Sequence, residues 1–418
     1  MKRLTTLTFL LITFVAFAQK SLSLEDCYTL VKENYPLAKQ ANFLEKQNAF
    51  DLEVINTENL PKFNFSAQAT YQSDVIEIPI SLPGTTIEAP NKDQYKATLS
   101  VNQLIYDGGL IKASKELKIN ELKTQQKQLE VTLYQLNNRV NQIYFSILLI
   151  QDNKKLLNAK KTQLENKLQE VKAGIKYGVL LPASDKILEA ELLKIEQQFI
   201  EIDLTKTSLV ETLSTLIGIE VSKEITLENP EIVSNLNTNI NRPEIDLFQL
   251  QKKQIEASEE LISKKNTPKL MGFATGGYGN PGLNMLDNSF QAFYQAGIQL
   301  NWNPFDWNAT KKQKKSLQIN KDIIENQQEI FELNTNIELN QQEAEIEKFS
   351  ALIESDKTII ELRKKVLKSV SSQLKNGVIT SSVYITELTN LYEAEKNLST
   401  HKIEMLFAKA IYKTTQGN

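Results

Sequence analysis

The residue types that do chemistry are scarce in this chain and poorly placed for it. His401 is the only histidine and Cys27 the only cysteine, and neither sits in the His, Cys or carboxylate spacing that holds a metal ion. The nucleophile elbow G-x-S-x-G, a phosphate-binding loop and a dinucleotide fingerprint are all absent from the sequence. Asn308-Ala309-Thr310 matches a glycosylation sequon, but so short a match arises by chance in an asparagine-rich chain. The carboxylates that stand out are Asp107 and Asp306, because each follows an aromatic residue, Tyr106 and Phe305. An aspartate at a strand-to-helix junction favours the helix N-terminus, by about 0.3 to 1 kcal/mol, which is a structural role. No catalytic residue, metal or cofactor is expected, and the chain acts by shape.

Those two aspartates belong to a repeat. Asp107 stands as far before Gly178 as Asp306 stands before Gly377, an offset of 199. Asn59-Leu60-Pro61-Lys62-Phe63 in the first copy is answered by Asn266-Thr267-Pro268-Lys269-Leu270 in the second, and Lys176-Tyr177-Gly178-Val179-Leu180 by Lys375-Asn376-Gly377-Val378-Ile379. Only the stretch between the Pro-Lys pair and the aromatic-Asp pair changes length, as surface loops do. The chain reads as a signal peptide at 1–18, a first repeat over 19–230 and a second over 231–418.

Lys2 and Arg3, the apolar run Leu4 to Phe17 and Ala16-Phe17-Ala18 have the form of a cleaved secretory signal, with Gln19 as the new N-terminus; a retained anchor is the alternative. One cysteine excludes an intrachain disulfide, and Cys27 lies too far past the cut for a lipid anchor. Beyond the signal no run is long and apolar enough for a transmembrane helix, so a membrane-spanning part has to be a β-barrel. A formal charge of −3 with scattered lysines offers no basic face to nucleic acid.

Apolar residues recur from Leu122 through Leu129, Leu133, Leu136, Val140, Ile143, Ile147, Ile150, Leu157, Leu164 and Leu168 to Val171 and Ile175 in steps of threes, fours and sevens, the period of a left-handed coiled-coil seam. Gln126, Lys154 and Lys161 interrupt it. The second copy carries a looser seam through Ile319, Ile323, Ile330, Leu333 and Ile337, continued by Leu352, Ile359, Leu362 and Val366. Proline-free spans predict long helices at about 109–177 and 308–376, each on the order of 100 Å at about 1.5 Å per residue. Return helices follow at about 182–217, opened by Pro182, and 381–414, capped by Ser381 or Ser382. A further helix is expected at about 243–265 and another near the N-terminus.

Ahead of each long helix the period changes to two. Phe63, Phe65, Ala67, Ala69 and Tyr71 alternate with polar residues, as do Tyr95, Ala97, Leu99 and Val101, and Ala292, Tyr294, Ala296, Ile298 and Leu300. Strands are predicted at about 63–73, 94–105, 269–279 and 290–303; in the third, glycines blur the alternation. Their lengths and the aromatics at their ends suit a membrane barrel, with soluble hairpins as the alternative. Four strands cannot close a barrel when the smallest use about eight, so chains have to share one. Gly108-Gly109 in the first copy and Pro304 in the second suit the bend from strand to helix.

Leu22-Ser23-Leu24-Glu25-Asp26, Glu33-Asn34-Tyr35-Pro36, Gln103-Leu104-Ile105-Tyr106-Asp107-Gly108-Gly109 and the paired Gly178 and Gly377 turns, in that order, resemble the TolC-like outer membrane efflux protein family. That resemblance implies a mainly α homotrimer with a twelve-stranded β-barrel in outer-membrane lipid and an α-helical barrel in the periplasm. It implies an exit duct for efflux or type I secretion that works with a periplasmic adaptor and an inner-membrane transporter. It assigns the adaptor-docking tips to Gly178, Val179, Leu180, Gly377, Val378 and Ile379, and tunnel-entrance carboxylates to Asp185 and Glu387. Asp185 stands one place past the usual position, and Val383 holds the matching place after Gly377. A periplasmic coiled-coil adaptor or scaffold without a pore is the competing reading.

Overall fold

The computed structural model describes residues 22–76, 89–232 and 239–417, so the signal segment lies outside the described residues. In chain order the elements are α1 (Leu24–Asn34), α2 (Gln40–Thr57), β1 (Lys62–Tyr71), β2 (Asp93–Tyr106), α3 (Leu110–Lys176), α4 (Ser184–Ile217), α5 (Pro243–Lys265), β3 (Lys269–Asn280), β4 (Gln291–Asn301), α6 (Ala309–Lys375) and α7 (Ser381–Gln416). No helix among the described residues is long and apolar enough to cross a membrane. The chain forms two compact units that cut across the repeats: one takes residues 39–131 and 243–331, the other the remainder.

The first of these units holds one antiparallel sheet in the order β1-β2-β3-β4. Its register sets Phe65 against Leu99, Leu99 against Gly276 and Gly276 against Tyr294, and the β2–β3 ladder shifts between Leu104 and Tyr106. Ion pairs and hydrogen bonds fix the order of its helices in the same way. α2 meets α3 through Asp51–Lys118 and Glu45–Gln126, α3 meets α5 through Lys127–Asp246, and α5 meets α6 through Lys252–Glu325 and Glu256–Lys321. Strand layer and helix layer therefore end on the same two groups, α2 with β1 and β4 with α6.

The second unit is helical and holds two apolar clusters. One gathers Leu24, Cys27 and Val31 of α1 with Val140 and Ile147 of α3, Val210 and Ile217 of α4, and Ile403 of α7. Ser23 starts α1 with a capping box: its hydroxyl accepts the Asp26 amide, and the Asp26 carboxylate accepts the Ser23 amide. Burial, reinforced by Asp26, pushes the Cys27 thiol up to about 12, so the lone cysteine is a core residue. The other cluster joins Leu157, Leu164 and Val171 of α3, Leu188 and Ile195 of α4, Ile360, Leu367 and Leu374 of α6, and Tyr384 and Leu388 of α7. Steps of seven dominate these sets, as packing along long helices requires.

Three sequence expectations need correction in this unit. The seam of α3 runs through Lys160 and Lys167, both buried, because the rings of Tyr392 and Tyr384 receive their ammonium groups at 5.1 Å each. Lys160 pairs with Glu191 at 3.0 Å, and Lys167 with Glu170 at 2.5 Å and the Ser371 hydroxyl at 2.8 Å. On α6 the stripe expected to form the seam is exposed at Ile337, Ile359, Leu362 and Val366; the buried face is Leu339, Ile353, Ile360, Leu367 and Leu374. α4 begins at Ser184, after a left-handed Ala183 and two residues past Pro182, and α7 is preceded by Thr380, with no side chain capping either helix. Replacing the fully buried Leu164 by Ala should cost about 2 to 5 kcal/mol, read as a lowered unfolding midpoint, whereas the same change at exposed Leu193 should leave it nearly unmoved.

Candidate functional site

The sheet has two chemically opposite faces, and both are set by register. Phe63, Phe65, Tyr71, Tyr95, Leu99, Val101, Tyr278, Tyr294, Ile298 and Leu300 fall on one face with alanines and glycines between them. Most of these side chains are exposed. At its loop end Tyr95 and Tyr278 stack on Phe290, with centroids 6.1 and 5.6 Å apart. Toward α3 and α6 the exposed aromatics are Tyr106, Trp302, Phe305 and Trp307. An exposed apolar band between two aromatic belts is the pattern of a strand wall facing lipid.

The opposite face carries Asn64, Ser66, Gln68, Thr98, Ser100, Gln295 and Gln299. Its two rings, Phe273 and Phe293, lie across the glycines paired with them. A Cβ on Gly297 would meet the Phe273 ring at 2.9 Å, and one on Gly277 would meet the Phe293 ring at 2.4 Å. The glycines that blurred the alternation of β3 thus make room for rings lying flat on the polar face.

At the bend from strand to helix the two copies use the same backbone with different residues. Asp107 accepts the Gly109 amide at 2.8 Å and the Ile111 amide at 2.5 Å; Asp306 accepts the Asn308 amide at 3.1 Å and the Thr310 amide at 2.9 Å. Burial works against the charge on Asp107, yet the Ile111 and Gly109 amides outweigh it and hold its carboxyl below the usual range. The Thr310 hydroxyl and amide hold that of Asp306 low as well. Gly108 and Gly109 are left-handed, and a Cβ on Gly108 would strike the Thr267 hydroxyl at 1.9 Å. In the second copy the same left-handed pair falls on Trp307 and Asn308, with φ of 53° and 63°, so the bend expected at Pro304 is made three residues later. Asn266 braces it, donating to Asp306 and Thr310 at 2.8 Å each. Asparagine tolerates that conformation; tryptophan pays roughly 1 to 2 kcal/mol for it, and Trp307 is also 91% exposed.

At the tips, α3 and α6 end in matching Schellman turns. The Gly178 and Gly377 amides reach Ile175 and Leu374 carbonyls at 3.0 and 2.9 Å, and the Val179 and Val378 amides reach Gly174 and Gln373 at 2.9 Å each. Leu180 and Ile379 turn inward onto the second cluster, whereas Val179, Val378, Tyr177 and Leu181 stay exposed. The two turns touch: a Cβ on Gly377 would lie 2.8 Å from the Val179 carbonyl oxygen, while one on Gly178 would meet nothing.

The carboxylates near the tips are already engaged. Glu387 takes Arg363 of α6 at 3.2 Å, and Asp185 faces Lys186 at 3.7 Å. His401, which lies in no metal-ligand pattern in the sequence, bonds Asp356 of α6 at 2.6 Å and faces the Phe349 ring. No group of residues able to hold a metal occurs among the described residues.

Gly377→Ala should lower the unfolding midpoint more than Gly178→Ala, because both strain a left-handed turn but only the first drives a methyl into a carbonyl oxygen. Trp307→Gly should unfold no earlier than the wild type, since the bend is relieved of a disfavoured conformation, while detergent-free membranes should retain the variant less firmly.

No curated protein matches the chain. The sequence model of the outer membrane efflux protein family matches residues 34–218. Among solved structures, the outer membrane protein VceC from Vibrio cholerae superposes with a TM-score of 0.66 at 13% identity, covering 94% of this chain and 96% of that one. The Campylobacter jejuni CmeC outer membrane channel gives 0.63 at 16%, covering 94% and 85%. The open state of the Neisseria gonorrhoeae MtrE outer membrane channel gives 0.64 at 14%, covering 94% and 89%. The resemblance read from the paired turns and the Tyr106-Asp107-Gly108-Gly109 element is thus borne out: the outer membrane efflux protein family model matches the chain in sequence over residues 34–218, and outer membrane channels match it in fold over nearly its whole length.

Proposed function

We propose that the chain is one subunit of a closed homotrimeric ring that forms a twelve-stranded barrel continued by an α-helical tunnel, and that it works as a passive exit duct. The observation that carries this reading is a mismatch in burial between equivalent places of the two copies. Val131 of α3 is 3% exposed, and its counterpart Ile330 of α6 is 51% exposed. Ala257 of α5 is 7% exposed, and its counterpart Phe50 of α2 is 66% exposed. The covered members lie on α3 and α5, the two helices that Lys127–Asp246 joins where the copies meet; the bare ones lie on α2 and α6, in the two end groups. Repeating the inner contact between chains, with α6 and β4 of one against α2 and β1 of the next, covers Ile319, Ile323 and Ile330 with Phe43, Phe50 and Val54. Such ring closure is the arrangement that a duplicated unit favours.

The tips supply the partner surface in this reading. Exposed Val179 and Val378 beside rigid glycine turns suit docking by a periplasmic adaptor, which couples the duct to an inner-membrane transporter that drives the cargo. Leu180 and Ile379 serve the hairpin core instead. Glu387 and Asp185 contribute to a gate only after their bonds with Arg363 and Lys186 break, so opening involves movement of α7 against α6.

The repeat also sets a register between chains. Leu99 faces Gly276 within the chain; the equivalent pair across chains is Ile298 with Ala69 of the next copy. An Ile298→Cys/Ala69→Cys protein in outer membranes, treated with a short bismaleimide, should give linked dimers and trimers in denaturing gels, and neither single variant should. Linking of Ile298→Cys to Phe65→Cys in preference to Ala69→Cys would overturn the register and keep the ring. No linking with either partner would overturn the ring.

A further inference from the structure

The polar face of the sheet carries charge of one sign. Its charged strand residues are Lys62 of β1, Lys96 of β2 and Lys269 of β3. The only acidic residue within the four strands is Asp93, at the loop end of β2 and paired with Tyr71 on the apolar face. Two of the lysines are compensated near the bend: Lys62 meets Glu58 at 2.6 Å, and Lys269 acts on Asp107. Lys96 is exposed and has no carboxylate within ion-pair distance among the described residues. Its strand neighbours across the sheet are Gln68 and Gly279, and its ammonium group rests 5.1 Å from the centre of the Phe293 ring. A net charge of −3 for the whole chain makes a wall with this bias a local feature.

We infer that Lys96 forms a cationic ring near the outer mouth of the barrel that favours organic anions as cargo. The inference rests on the duct reading, in which the apolar face meets lipid and the polar face lines the pore. Symmetry then repeats Lys96 around the wall, and a ring of like charges bounded by low-dielectric walls raises the local concentration of counter-ions. Flat Phe273 and Phe293 rings leave the lumen open and offer apolar surface beside the charge, which suits an anion with an apolar part. Amides and hydroxyls fill the rest of the face, so they contribute hydrogen bonds without opposing charge.

The test is the reversal potential of the full-length protein in planar lipid bilayers under a potassium chloride gradient. Wild type should favour chloride, Lys96→Gln should lose much of that preference, and Lys96→Glu should shift it toward potassium. As Lys96 is exposed, neither change should disturb folding, which retention of the oligomer in gels checks. A conducting channel with the same reversal potential in all three forms would overturn the inference and leave the duct. A folded oligomer that never conducts would overturn the duct reading and this inference with it.

Discussion

A strand in hydrocarbon has to pair its backbone on both edges, because an unbonded amide or carbonyl there costs several kcal/mol and finds no water. The four strands of this chain satisfy one another in the middle and leave β1 and β4 with one free edge each. The same constraint acts on the helices in apolar currency: α2 and α6, the elements flanking those strands, carry exposed Phe, Ile and Val where their counterparts are covered. Free hydrogen-bonding edges and bare apolar stripes thus coincide on the same two groups, and in the proposed ring a second copy supplies both partners at once.

Duplication explains how one chain can hold its own interface and its own template. The β2–β3 ladder and the α3–α5 contact are the junction between copies, visible within the chain, and in the proposed ring the outer junction repeats that arrangement with the equivalent residues. Where the copies differ, the differences have local causes. Gly108-Gly109 becomes Trp307-Asn308 at the same left-handed bend, and in the proposed barrel the strained tryptophan falls where an aromatic ring suits a membrane interface. Asn266 and Thr310 add bonds around Asp306.

Period and punctuation were legible in the sequence wherever they were local. The two-residue alternation from Phe63 to Tyr71 and from Ala292 to Leu300 marks strands, and the glycines at 178 and 377 mark helix ends, because both signals depend on neighbours in the chain. Features set by distant residues were not. Lys160 and Lys167 look like solvated positions until Tyr392 and Tyr384 are brought over them. His401 gains Asp356 only through the pairing of α6 with α7. α6 carries two apolar stripes, and periodicity alone does not say which faces its own chain. Of the site residues, Asp107 and Asp306 were legible as helix-start carboxylates, while Trp307 and Asn308 lacked the glycine signal that announces a left-handed bend.

The central claim, that the free ends close on other copies, is tested most directly by single-particle imaging of protein extracted from outer membranes in detergent. The account predicts threefold particles whose barrel shows β4 of each copy antiparallel to β1 of the next, with α6 against α2. Monomers, or helical rods without a barrel, would contradict it and would leave the apolar face of the sheet as part of a soluble scaffold.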